Sequence, residues 1–156
     1  MPRRKRVEKR KIEGDPKYND YEVEKFINKL MWDGKKSLAY RIFYEAMDKI
    51  KEKTNQDPLM VFKKALNNVK PKLEVRPRRV GGATYQIPIE VPSHRSLSLA
   101  IRWIIGTARS KKGKSIVDKL VDEILEASRG EGASVKKRDD THKMAESNRA
   151  FAHYRW

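Results

Sequence analysis

The chain contains no cysteine, which excludes disulfides, thiolate nucleophiles and cysteine-ligated zinc at once. It has no apolar run of spanning length, no charged-then-apolar leader and no lipidation motif, so no membrane partner is expected. Acid is also scarce: 21 Asp and Glu stand against 37 Lys and Arg in 156 residues, a formal charge of +16. An excess that large opposes compaction by self-repulsion and draws a chain to a polyanion. With membranes set aside, the expected partner is nucleic acid.

Material for catalysis is thin. The three histidines are His94, His142 and His153. Asp139, Asp140 and His142 lie close enough in sequence to invite a metal-dependent nuclease reading. On a helix, however, Asp140 and His142 two apart point in different directions. Gly113-Lys114-Ser115 ends like a phosphate-binding loop, but Ala108 stands where its first glycine belongs. No nucleophile elbow is present. The expectation is a protein without catalytic residues, metal or cofactor.

What is present is mostly helical periodicity. From Asp20, the residues Val23, Phe26, Ile27, Leu30 and Met31 form one apolar stripe, with Gly34 as the expected stop. Leu38, Ile42, Phe43, Ala46, Met47 and Ile50 form a second. In a third helix Asp57 caps, Pro58 takes the first position, and Phe62, Ala65, Leu66 and Val69 face inward until Pro71 ends it. The period then changes to two: Tyr85, Ile87, Ile89 and Val91 alternate with Thr84, Gln86, Pro88 and Glu90. Gly81-Gly82 between this run and Leu73 to Val80 reads as a hairpin turn. Pro77 and Pro88 suit a two-stranded ribbon with free edges.

Helical spacing resumes at Ser93, with Leu97, Ile101, Ile104, Ile105 and Ala108 inward. A last apolar stripe of Ile116, Leu120, Val121, Ile124 and Leu125 follows a capping pair, Ser115 with Asp118, and ends near Gly130. From Ala133 to about Arg149 a helix is favoured without a wide apolar face, so it must lean on something else or rest on charge pairs. The fold class is therefore mainly α: a bundle of about six helices with a protruding two-stranded β-hairpin. One domain is expected over residues 1–156, with a basic tail at 1–15, the hairpin at 72–91 and a basic C-terminal helix and tail at 133–156.

Basic residues mark several separate surfaces. Arg3, Arg4, Lys5, Arg6, Lys9, Arg10 and Lys11 form a tail with too little apolar content to fold alone. Lys35 and Lys36 stand at a helix entrance. Arg76, Arg78 and Arg79 approach the Gly81-Gly82 tip, where Tyr85 could stack on a base or pack on the helical body. Arg95, Arg102 and Arg109 lie seven apart on one helix face, ahead of the loop carrying Lys111, Lys112 and Lys114. Lys136, Lys137, Arg138 and Arg149, with Tyr154, Arg155 and Trp156, mix cations with flat rings, which suits phosphate contact plus stacking. Basic patches on many sides of one small core suit a protein embedded in folded RNA. A DNA-binding regulator would need an exposed recognition helix and a dimer surface, and the helices here are short of both.

Particular strings go further. Phe26-Ile27-Asn28-Lys29-Leu30-Met31-Trp32-Asp33-Gly34-Lys35-Lys36-Ser37-Leu38-Ala39, the run Arg78-Arg79-Val80-Gly81-Gly82-Ala83-Thr84-Tyr85-Gln86-Ile87-Pro88, and the ending from Val135 to Trp156 closely resemble the small-subunit ribosomal protein S-seven family, bacterial type. Val69-Lys70-Pro71 with Glu74-Val75-Arg76 matches as well, and the resemblance spans essentially the whole chain in order. It implies about six helices with a long hairpin. It also implies a primary binder of 16S-type rRNA that nucleates the 3′ major (head) domain. The hairpin and C-terminal helix would approach exit-site tRNA and leaving mRNA, small-subunit proteins nine and eleven would be neighbours, and the location would be the cytoplasmic ribosome.

Overall fold

The structure, a computed structural model, describes residues 12–154, the side chain of Tyr154 excepted. Helix α1 (Tyr21–Leu30) starts where the Asp20 carboxylate accepts the amides of Glu22 and Val23 at 2.8 and 3.2 Å, satisfying two donors that a helix start leaves open. It ends four residues before Gly34. Met31 turns extended, and Asp33 and Gly34 both take positive φ (49° and 73°) in a tight turn closed by the Lys35 amide on the Trp32 carbonyl. Gly34 thus shapes the turn into α2 (Lys36–Thr54) and does not cap α1. Helix α3 (Pro58–Val69) begins as the sequence reads, with Asp57 accepting the Leu59 amide at 3.0 Å and Pro58 in the first turn.

These helices meet through three phenylalanines. Phe26, Phe43 and Phe62 are fully buried, with ring centroids 5.2–5.5 Å apart in tilted and edge-on pairs, an arrangement that rings favour over flat sandwiches. Leu38 departs from its expected inward place. It is 46% exposed, because Ala39 and Phe43 take the inner side of α2 while Leu38 turns toward the Trp32 turn.

Strands β1 (Leu73–Val80) and β2 (Ala83–Glu90) pair antiparallel, from Leu73 opposite Glu90 to Val80 opposite Ala83. Gly81 and Gly82 have φ of 58° and 87°, as a two-residue primed turn demands. Helices α4 (Ser93–Ser110), α5 (Ile116–Ser128) and α6 (Ala133–Ser147) follow, then a 3-10 turn, η1 (Arg149–Tyr154). Ser115 caps α5: its hydroxyl accepts the Asp118 amide at 3.2 Å and donates to the Asp118 carboxylate at 2.6 Å. Helix α5 packs on α2, α3 and α4 and closes the core.

Helix α6 buries only Ser134, Val135 and Ala145 and does lean, against β1. Its start is held by Glu123, a fully buried carboxylate whose Oε1 accepts the Ser134 amide at 3.0 Å and hydroxyl at 2.5 Å. Lys111 Nζ stands 2.8 Å from the other oxygen, as an ion pair outside the angles of a well-formed hydrogen bond. On the other strand, Tyr85 packs on Phe151 of η1 with centroids 5.1 Å apart, and Ile87 beside it is buried. The lower hairpin is therefore braced on both strands. Only its tip, Gly81 to Thr84, is uniformly exposed.

Candidate nucleic-acid interface

The sequence-predicted cations divide into those the fold compensates locally and those it leaves to solvent. Lys36 belongs to the first group. Its ammonium lies 2.5 Å from Oε1 of the buried Glu24, whose other oxygen accepts the Tyr40 hydroxyl at 2.6 Å. Burial alone would raise the Glu24 carboxyl, but Lys36, Tyr40 and Asn28 together hold it below the ordinary glutamate range. Arg95 donates to both oxygens of the buried Glu74 at 2.8 and 2.9 Å, and Arg76 reaches the same carboxylate at 3.5 Å. Lys111 serves Glu123 and Glu126, and Lys114 lies 2.6 Å from Asp122. Arg138 binds the Asn68 carbonyl and Asp139. Arg109 donates to the Leu30 carbonyl at 2.9 Å and lies over the Trp32 ring, 5.0 Å from its centroid.

The second group comprises Lys35, Arg79, Arg102, Lys112, Lys136, Lys137 and Arg149, all of them exposed. Arg78 is half-buried opposite Tyr85. The tail cations Arg3 to Lys11, together with Arg155 and Trp156, lie outside the described residues, as does the Tyr154 side chain.

Arg95, Arg102 and Arg109 share a helix but not a surface. Arg95 braces the hairpin base, while the other two sit on the seam between α1 and α4. One hollow lies beside each of these two arginines. One is lined by Lys25, Asn28, Lys29, Ser98, Ile101 and Arg102, the other by Leu30, Trp32, Lys35, Leu38, Ala39, Ile42, Arg109 and Ile116. Neither lining includes a carboxylate. Lys25, Lys29 and Trp32 do not stand out in the sequence, because a lysine on a polar helix face has no signal of its own. Only the packing of α4 on α1 brings them beside Arg102 and Arg109.

The acidic trio does not converge. Asp139 is engaged by Arg138, Asp140 is exposed, and His142 Nε2 accepts the Lys72 amide at 2.9 Å. Among the described residues no group of three or more His, Asp or Glu side chains could hold a metal ion, and no helix is long and apolar enough to cross a membrane. His142 instead straps α6 to the hairpin base. Burial, with Arg138 and Lys72 nearby, lowers its pKa against the opposing pull of Asp139. The neutral ring is the form that accepts the amide. A lowered folded pKa makes the unfolded state the first to take up a proton as pH falls. The strap's contribution is therefore complete above the ordinary imidazole pKa and declines on acidification below it. We expect protection of the Lys72 amide from hydrogen exchange, corrected for intrinsic rate, to hold down to about pH 6.5 and to fall as pH drops below it, and to be low and flat throughout in His142→Ala.

A seam of uncompensated cations, a hairpin with a bare diglycine tip and a six-helix body now stand beside the family comparison. The family model described as ribosomal protein S7p/S5e matches residues 2–149. The chain belongs to this family. It is 62% identical over 156 residues, all of both chains, to small ribosomal subunit protein uS7 of Thermoanaerobacter pseudethanolicus. The Thermotoga maritima protein of that name is 60% identical over 154 residues, 99% of each chain, and that of Thermomicrobium roseum 58% over 156, all of both. The resemblance read from the sequence strings thus holds for the whole chain, and with it membership among the constituents of the small ribosomal subunit. Nothing in these matches favours a DNA-binding regulator or a nuclease.

Proposed function

We propose that this chain is a non-catalytic primary binder of 16S-type rRNA in the cytoplasmic ribosome, and that it nucleates folding of the 3′ major (head) domain. The observation that carries the reading is a pair of hollows, one on the α1–α4 seam and one between the Trp32 turn, α2 and the end of α4, which Lys25, Lys29, Lys35 and Arg102 line with no carboxylate in either. A surface left that positive on a chain of charge +16 is suited to a folded phosphate backbone. In this reading the helical body and the tail at residues 1–15 engage rRNA. The hairpin tip and the segment 133–156 face exit-site tRNA and the mRNA path, with small-subunit proteins nine and eleven as neighbours. The resemblance to the family supports these finer assignments.

Chemical footprinting on protein-free small-subunit rRNA tests the reading. A primary binder protects one defined junction of the 3′ major domain unaided, at nanomolar protein. Protection that appears only after other small-subunit proteins are added would show a secondary binder and remove the nucleating role.

A further inference from the structure

We infer that Trp32 and Arg109 form a stacking platform for a single unpaired base of rRNA, with Lys35 taking the adjoining phosphate; the inference rests on the rRNA-binding reading above. Trp32 is 66% exposed, on a turn whose two positive-φ residues, Asp33 and Gly34, fix the backbone that carries it. Packing does not account for that exposure: a fully buried tryptophan removes a large apolar area from water, and this one is left outside. Nor is the ring needed to hold Arg109, since the Leu30 carbonyl already accepts its guanidinium at 2.9 Å. The outcome is a flat ring with a cation over it, 5.0 Å from its centroid, pre-positioned before any ligand arrives.

Beside the ring lies a hollow of about 340 Å³ whose lining includes the apolar Ile42 and Ile116 together with Lys35 and the half-exposed Leu38. The Lys35 ammonium has no carboxylate within ion-pair distance among the described residues. An apolar hollow whose charged lining residues are Lys35 and Arg109 matches a ligand with a π face and an attached anion. Every nucleotide has both, whereas an apolar peptide brings no charge to meet the rim. An arginine on an aromatic ring and a base stacked against it also reinforce each other, because the cation polarises the ring. The distribution of charge therefore favours RNA over a protein segment as occupant.

The experiment uses the full chain with a transcript of the 3′ major domain of 16S-type rRNA. The difference in emission between the parent and Trp32→Phe isolates the Trp32 component, and that component should be quenched as the transcript binds. Trp32→Ala should weaken binding about 5- to 150-fold, the loss expected for one base–aromatic stack, while its dependence on salt stays that of the parent, since a ring releases no counterions. Trp32→Phe should restore most of the affinity. Lys35→Gln should instead lower the salt slope by about one. Because Trp32 and Lys35 are both exposed, substitutions at these two positions should leave the melting temperature at the parent value.

Three results would overturn the inference. The first is undiminished affinity in Trp32→Ala, which would leave the ring to a protein neighbour. The second is emission already shielded without RNA and unmoved by it, which would mean that residues 1–11 occupy the hollow. The third is no quenching at Trp32 although the transcript binds. If the parent protein does not bind the transcript at all, the rRNA-binding reading falls with it, and the two failures are told apart by that single control.

Discussion

Replacing Arg3, Arg4, Lys5, Arg6, Lys9, Arg10 and Lys11 by Gln flattens the salt dependence of rRNA binding by up to about six units of slope, since each phosphate contact contributes about 0.7–0.9. At low salt the loss reaches about a thousandfold or more; near physiological salt it shrinks as the electrostatic part fades. The structure sharpens the expectation. Many cations of the body already face carboxylates: Lys36 on Glu24, Lys49 on Asp118, Lys63 on Asp20, Lys70 on Glu22, Lys114 on Asp122. Such pairs carry little net charge, so the positive charge available to RNA falls more heavily on the tail and on Lys35, Arg102, Lys112, Lys136 and Lys137. The thermal transition should be nearly unchanged, because a segment so rich in Lys and Arg and so poor in apolar residues brings little to a core. Filter binding across about 50–500 mM salt, a range over which such slopes are resolved, paired with melting curves, makes the comparison. An unaltered slope would show that the seven cations touch no phosphate.

The helices and the hairpin are legible in the sequence because their signals are local. A period of 3.6 or 2, a Pro58 behind an Asp57, or a Gly81-Gly82 between alternating runs each specifies backbone within a few residues. The end of α1 departs from expectation for the same reason. Gly34 is a natural stop, but the turn needs Asp33 in the left-handed region too, and asparagine and aspartate tolerate it in a way sequence does not advertise. The site is legible only in outline. Total charge points to RNA, yet no local pattern separates Lys36, held by a buried glutamate twelve residues earlier, from Lys35, which is not. Likewise the regular spacing of Arg95, Arg102 and Arg109 suggests one surface, and packing gives them different neighbours. Tyr85 admits two readings, base or body, and Phe151 across the hairpin decides for the body. Which cation faces a carboxylate is a property of tertiary contact, and a linear pattern does not carry it.

Shortening the hairpin across Arg79 to Thr84, with Arg78 and Tyr85 rejoined by an Asn-Gly turn, should leave the protein folded and assembled but functionally impaired. The cut stops above the rung where Arg78 faces Tyr85, so the Tyr85–Phe151 contact, the buried Ile87 and the Glu74–Arg95 pair all remain. What is lost is an exposed tip whose burial is slight, and the expected change in stability is within about 0.5 kcal/mol. The cut also removes the diglycine, where a backbone can approach another chain with no Cβ between them; nothing lies within 4 Å of a Cβ placed on either glycine. In the proposed reading that tip reaches exit-site tRNA and the mRNA path. Small subunits carrying the shortened protein should therefore form normally in gradients while retaining exit-site tRNA poorly or slipping frame more often. Lys35→Glu should do the reverse, weakening rRNA binding and assembly while leaving the hairpin intact. The single substitution is the informative one: reversing Lys36 as well would set a second carboxylate against the buried Glu24 and cost on the order of 2 kcal/mol of stability, so that a folding defect would pass for a binding defect. If the tip deletion blocks assembly outright, the hairpin is itself an rRNA anchor and the division between body and tip is wrong.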